Sequence, residues 1–185
     1  MRGVSLIIVL LFLGLGVMAQ DSKADRKAEK KARKEAKRQE AKENTARLIG
    51  IVESRQFVLQ ATTLYDRYGN SLVLNSNLNF VGFDGEYSTI QLSFAGLVGW
   101  NGVGGVTIDG RITKMEVRTK AEDIGFTINA AVQNKGGGLT TMLFRVNADG
   151  NARVDMNGNF GEKLSFQGFI VPLNESTIYK GTPRY

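Results

Sequence analysis

From Gln56 onward, apolar and polar residues alternate along the chain. Phe57, Leu59 and Ala61 share one parity, and Leu72, Leu74, Leu78 and Phe80 share another. Ile90, Leu92 and Phe94 alternate with Gln91 and Ser93, and Ile124, Phe126, Ile128, Ala130 and Val132 alternate with Gly125, Thr127, Asn129 and Ala131. Met142, Phe144, Val146 and Ala148 repeat the pattern, and Ala152, Val154, Met156 and Phe160 follow against Arg153, Asp155 and Asn157. A period of two describes strands with one buried and one wet face, which is the antiparallel arrangement. Asp84-Gly85 and Asp149-Gly150 read as two-residue hairpin turns, where positive φ is needed. Tyr68-Gly69-Asn70 and Gly136-Gly137-Gly138 mark two further reversals. Between Val106 and Thr119 the apolar parity slips, from Val106, Ile108 and Ile112 to Met115 and Val117, which predicts a β-bulge near Thr113-Lys114. Eight or nine short strands with tight turns predict a mainly β fold, an antiparallel meander closing into a small barrel or a sandwich.

Before Gln56 the pattern differs. Asp21–Arg47 has 11 Lys/Arg, 6 Asp/Glu and no Ile, Leu, Val or aromatic residue. Its Ala, Lys, Glu and Arg are strong helix formers, uninterrupted by Gly or Pro, and Glu29–Arg33 is a favourable i,i+4 pair. A charged helical arm over 20–47 is expected. Without large apolar side chains it has nothing to insert into lipid and no coiled-coil seam. Arg26, Lys30, Lys34, Arg38 and Lys42 recur at i+4 and are the candidate contacts to an anionic envelope surface. The alternative, which we favour, is a solvated spacer. Leu48, Ile51 and Val52 then share a helical face, so the stretch to about Ser54 is expected to dock on the domain.

Residues 1–19 read as a signal peptide. Arg2 precedes the apolar run Val4–Val17, and Val17-Met18-Ala19 places small residues for cleavage after Ala19. The run is short for a span of about 20 residues. Export to the periplasm or medium is therefore the expectation. The seven basic residues of Lys23–Lys34 leave the alternative of an uncleaved, reversed membrane anchor. The formal charge of +6 resides in the arm and Arg2, so the domain predicted over 48–185 is neutral.

The chain has no Cys and no His. Disulfides, thiol nucleophiles, histidine bases and His-ligated zinc are excluded, and a lipid-bearing cysteine is missing after the apolar run. Carboxylates, Ser or Thr with Lys, and Tyr remain for catalysis, and a carboxylate hydrolase needs two carboxylates to converge, which the alternation does not offer. A non-enzyme without cofactor or metal is the expectation. Asp155-x-Asn157-x-Asn159 departs from a calcium loop at Phe160 and Phe166. Asp109 and Arg111 flank Gly110 with the same parity and are expected to pair as ions. Nucleic acid is an unsuitable partner for an exported arm without interleaved aromatics.

Tyr87–Ile108 carries no charge, and within it Gly96–Gly105 holds five glycines and the single tryptophan, Trp100. It fits neither a Walker loop, lacking Lys, nor a dinucleotide fingerprint, since Thr107 stands where the third glycine belongs. The favoured reading is a long connection in which glycines permit positive φ and Trp100 caps the barrel end. The alternative is a ligand rim of Trp100, Asn101, Phe94 and Leu97 gripping a small apolar or amphipathic molecule.

The run N-S-N-L-N-F-V-G-F-D-G-E-Y-S-T-I-Q-L-S-F at Asn75–Phe94, followed by G-W-N-G-V-G-G-V-T-I-D-G-R-I at Gly99–Ile112, resembles the domain of unknown function 4251 family. Its members are exported proteins of Bacteroidetes-type bacteria, often with a charged helical lead. The resemblance covers roughly Leu48–Lys180 and is most specific at Asn101–Thr107. It implies a small lipocalin-like β-barrel without an established activity, and it supplies no catalytic residues.

Overall fold

The computed structural model describes residues 4–66, 68–93, 105–158 and 163–181, with side chains from residue 24 onward except that of residue 121. The expected helix and strands are present. One helix, α1, spans Val4–Glu53. Nine strands follow: β1 Gln56–Tyr65, β2 Ser71–Val73, β3 Phe80–Asp84, β4 Tyr87–Ser93, β5 Gly105–Thr119, β6 Phe126–Asn134, β7 Leu139–Val146, β8 Asn151–Asn157 and β9 Leu164–Pro172. Consecutive strands from β3 to β9 pair antiparallel, β3 pairs with β1, and β9 returns to β1, so eight strands close into a barrel. The short β2 lies beside the second half of β1. The meander expected from the alternation is therefore correct, and closure removes the sheet edges that would otherwise seek partners.

The chain divides into two compact units, residues 1–40 and 41–185. In the first, every described side chain is exposed, including Arg26, Lys30, Lys34 and Arg38. An i,i+4 ion pair, Lys31–Glu35 at 3.9 Å, lies along it. Among the described residues no helix is long and apolar enough to cross a membrane.

In the second unit the last turns of α1 close one end of the barrel. Leu48 and Val52 are buried in the main core, as their shared face predicts, with Ile49 and Ile51 packed beside them. Polar contacts fix the helix, and the residue two places beyond it, to two hairpin turns at that end. The Gly125 amide donates to Thr45 Oγ1 at 3.0 Å, and the Gly85 amide donates to the Arg55 carbonyl at 2.9 Å. At a third turn, a Cβ added to Gly150 would lie 3.9 Å from the Leu48 side chain. The core above the helix is aromatic: Phe57 stacks on Phe83 with centroids 4.5 Å apart, and Phe83 meets Phe144 edge-on at 5.9 Å. Phe126 and Phe166 complete it without solvent contact.

The bulge expected in β5 is present as a register shift between Ile112 and Lys114. It lies where β5 exchanges its β4 partner for β6. A second shift, between Ala61 and Thr63 of β1, was not signalled by parity. Other turn details differ from the sequence expectation. Asp84 pairs with Tyr87, so the β3–β4 loop is Gly85-Glu86, with Gly85 at φ +61°. The β7–β8 turn holds four residues and ends on Gly150, whose φ is +83°. Leu72 to Phe80 is not one alternating strand. A turn built on Asn75 separates β2 from β3, and Leu72 is half exposed because β2 lies beside β1 without a covering layer.

Candidate functional site

β3, β4 and the start of β5 break the rule of a wet outer face. Their inward residues, Val81, Phe83, Ile90 and Leu92, join the core, but outward Phe80, Gln91 and Thr107 are equally buried. The cover is the C-terminal segment. Pro172 ends β9, since proline has no amide to donate to a further ladder bond. The chain then makes a 3-10 turn at Leu173–Glu175 and runs back over the outer sheet face.

Gln91 ties that segment down. Its Nε2 donates to the carbonyls of Leu78 at 3.0 Å and Tyr179 at 2.8 Å. Its Oε1 accepts from the Thr107 hydroxyl at 2.9 Å and the Gly181 amide at 2.7 Å. A buried amide with all four hydrogen-bonding positions filled is stable where a half-satisfied one would be costly. Further bonds run from Gln60 Nε2 to Thr177, from the Thr177 hydroxyl to Asn77, and from the Tyr179 amide to the Asn77 carbonyl.

Between this segment and the sheet lies a cleft of about 370 Å³. Phe80, Leu173, Ile178 and Tyr87 give it apolar walls, and Asp84, Asp109, Lys135 and Lys180 bring two charges of each sign. Gly82 faces it from the middle of β3. A Cβ there would meet nothing closer than 3.7 Å, so the missing side chain leaves room. Lys180 Nζ lies 2.8 Å from Asp109, whose Oδ1 also accepts from the Thr89 hydroxyl at 2.7 Å. Burial alone would raise the Asp109 pKa, but the Lys180 and Thr89 hydrogen bonds and the Lys180 charge outweigh it and leave the carboxyl below its ordinary value. The Asp109–Arg111 pair expected across Gly110 is not formed: Asp109 turns to Lys180, and Arg111 reaches Glu86 at 2.7 Å.

The rim residues Phe94, Leu97, Trp100 and Asn101 lie outside the described residues. Lys42, the last of the cationic series, is half-buried in the second unit, 4.0 Å from Asp123. The cleft itself was missed. One signal could have found it: the charge-free run from Tyr87 to Ile108 includes β4 and the first residues of β5, whose outer positions Thr89, Gln91, Ser93 and Thr107 are uncharged where a wet face would carry Lys or Glu.

A closed antiparallel barrel with a helix across one end and a C-terminal segment over its outer face describes a class of small scaffold. The profile of the domain of unknown function family DUF4251 matches residues 39–170, and the chain belongs to that family. Its fold is similar to the crystal structure of a DUF4251 family protein from Bacteroides eggerthii DSM 20697, at a TM-score of 0.60 and 29% identity, over 72% of this chain and 90% of that one. Comparison with curated proteins finds no match.

Proposed function

We propose that this is an exported, non-catalytic binding protein whose ligand is small and amphipathic. The observation that carries this reading is the cleft under the C-terminal segment, where apolar walls meet paired charges at a volume within the usual ligand range of roughly 300–1,000 Å³. Two things favour binding over catalysis. The chain contains no histidine or cysteine. Asp109, the half-buried carboxyl of the cleft, is held ionised by Lys180, whereas a general acid needs its pKa raised. The N-terminal apolar run and its small-residue cleavage pattern support export.

Gly82→Leu tests the site. The leucine would fill the cleft, and no backbone atom obstructs its Cβ closer than 3.9 Å. Native mass spectrometry of protein purified from its own envelope is expected to show a co-purified molecule in the natural chain and none in the variant, with similar thermal unfolding for both. An empty natural protein, or a molecule retained by Gly82→Leu, would overturn this assignment.

A second reading concerns α1. Arg26, Lys30, Lys34 and Arg38 are all exposed on the first unit, which favours adhesion to an anionic surface. The full chain is then expected to sediment with vesicles containing phosphatidylglycerol at low salt. It should be released by about 0.5 M salt, where the screening length is roughly 4 Å. Adhesion that survives that salt would not be electrostatic.

A further inference from the structure

A second cleft, of about 590 Å³, lies on the outer faces of β7, β8 and β9, away from the C-terminal segment. Strand register places Arg145 directly opposite Arg153. Like charges in that position repel and weaken a sheet, so the pair calls for a compensating group. Asp155, one row along, is part of it. Its carboxylate accepts from Arg145 and from the Ser165 hydroxyl, and Arg153 Nε lies 3.9 Å away. The Arg153 guanidinium sits over the Tyr65 ring, 4.8 Å from its centre, and the Tyr65 hydroxyl donates to Gln167.

The charges do not balance. Arg145, Arg153 and Lys163 line the cleft against Asp155 and Asp66. Asp66 is engaged by its own turn, where it accepts from the Tyr68 and Asn70 amides and the Asn70 side chain. An adjoining groove of about 480 Å³ shares Arg145, Asp155 and Lys163 and adds Lys114, whose charge is met by Glu116 at 3.7 Å. This local excess of positive charge stands in a domain that is neutral over 48–185. Both arginine side chains keep about half their surface, 47% and 50%, open to solvent.

We propose that this cleft binds a phosphate monoester group, gripped by Arg145, Arg153 and Lys163. A guanidinium presents a planar fork that matches two phosphate oxygens, and a compact ammonium adds a point charge beside it. The Tyr65 ring and Asp155 hold the two guanidinium groups in place before the ligand arrives. A phosphate monoester carries about −1.5 to −2 charges at neutral pH and offers three acceptor oxygens, enough to engage both guanidinium forks and the ammonium, whereas a single carboxylate offers two. Free phosphate compounds and phosphorylated lipid headgroups both display this group.

The test is a titration of the full chain with inorganic phosphate, followed by amide NMR. Saturable shifts are expected around Arg145, Arg153 and Ser165. The double substitution Arg145→Gln/Arg153→Gln should weaken binding about tenfold or more while leaving the rest of the spectrum in place. Arg145→Lys/Arg153→Lys, which keeps the charge but loses the forks, should fall between. Lys135→Gln, in the other cleft, should change nothing. Vesicles separate the sources. Phosphatidic acid presents a monoester and phosphatidylglycerol a diester, so at equal surface charge a preference for the first that the double glutamine variant abolishes assigns a lipid headgroup. Saturation by phosphate without that preference assigns a free phosphate compound. Shifts that never saturate, that persist in the glutamine variant, or that fall on α1 would overturn the site.

Discussion

Phe83→Ala is expected to destabilise the protein by about 3–5 kcal/mol, the usual cost of removing a large aromatic side chain from a core. Phe83 is fully buried, stacked on Phe57 and met edge-on by Phe144, so three strands lose contacts at once. Aromatic pairs of this kind contribute about 0.5–1.5 kcal/mol beyond the area they bury. Urea unfolding is the measurement: the midpoint should fall while the slope stays constant, since the surface exposed on unfolding hardly changes. Phe169→Ala provides the contrast. That side chain points outward and is 45% exposed, so its loss should cost under about 1 kcal/mol. A similarly small loss at Phe83 would mean that the barrel centre is loosely packed and open to a ligand.

The parity of Phe126, Ile128, Ala130 and Val132, and of Ala152, Val154 and Met156, was enough to assign the barrel interior, because each strand buries one face and period two is unambiguous there. The bulge in β5 was legible for the same reason, since an extra residue must reverse parity. Parity fails where an outer face is also covered. Phe80 and Gln91 point away from the core, and nothing local reveals that residues 173–181, some ninety positions later, will lie over them. The same long-range event redirects Asp109 from its neighbour Arg111 to Lys180. The opposition of Arg145 and Arg153 depends on the register of β7 against β8, which a four-residue turn sets where a two-residue one was expected. Composition reported the covering indirectly, through the missing charges of Tyr87–Ile108, and that signal marks a place without saying what occupies it.

Gly168→Ala is expected to destabilise the protein by about 1–3 kcal/mol, against the general rule for that exchange. Replacing glycine by alanine usually stabilises by about 0.4–1 kcal/mol, because the unfolded chain loses freedom. The φ of Gly168 is not in the left-handed region, so backbone conformation presents no obstacle. Steric contact decides the sign. Gly168 faces inward on β9, between Ala61 of β1 and Ala152 of β8, where the barrel wall is built from its smallest residues. An added Cβ would lie 2.0 Å from the Gln60 carbonyl oxygen and 2.9 Å from the Ala61 Cα. Those atoms are backbone and cannot rotate aside like a side chain. Relief requires β1 and β9 to move apart beside the register shift at Ala61 and Thr63, at the strand pair that closes the barrel. Overpacking of this kind costs about 1–3 kcal/mol, occasionally more, which exceeds the entropic gain. Thermal unfolding should show a midpoint lowered by several degrees for Gly168→Ala, while Gly82→Leu, whose side chain enters the cleft beside β3, melts near the natural protein. A Gly168→Ala chain melting at or above the natural temperature would show that β1 and β9 do not approach this closely, and closure of the barrel through that pair would have to be abandoned.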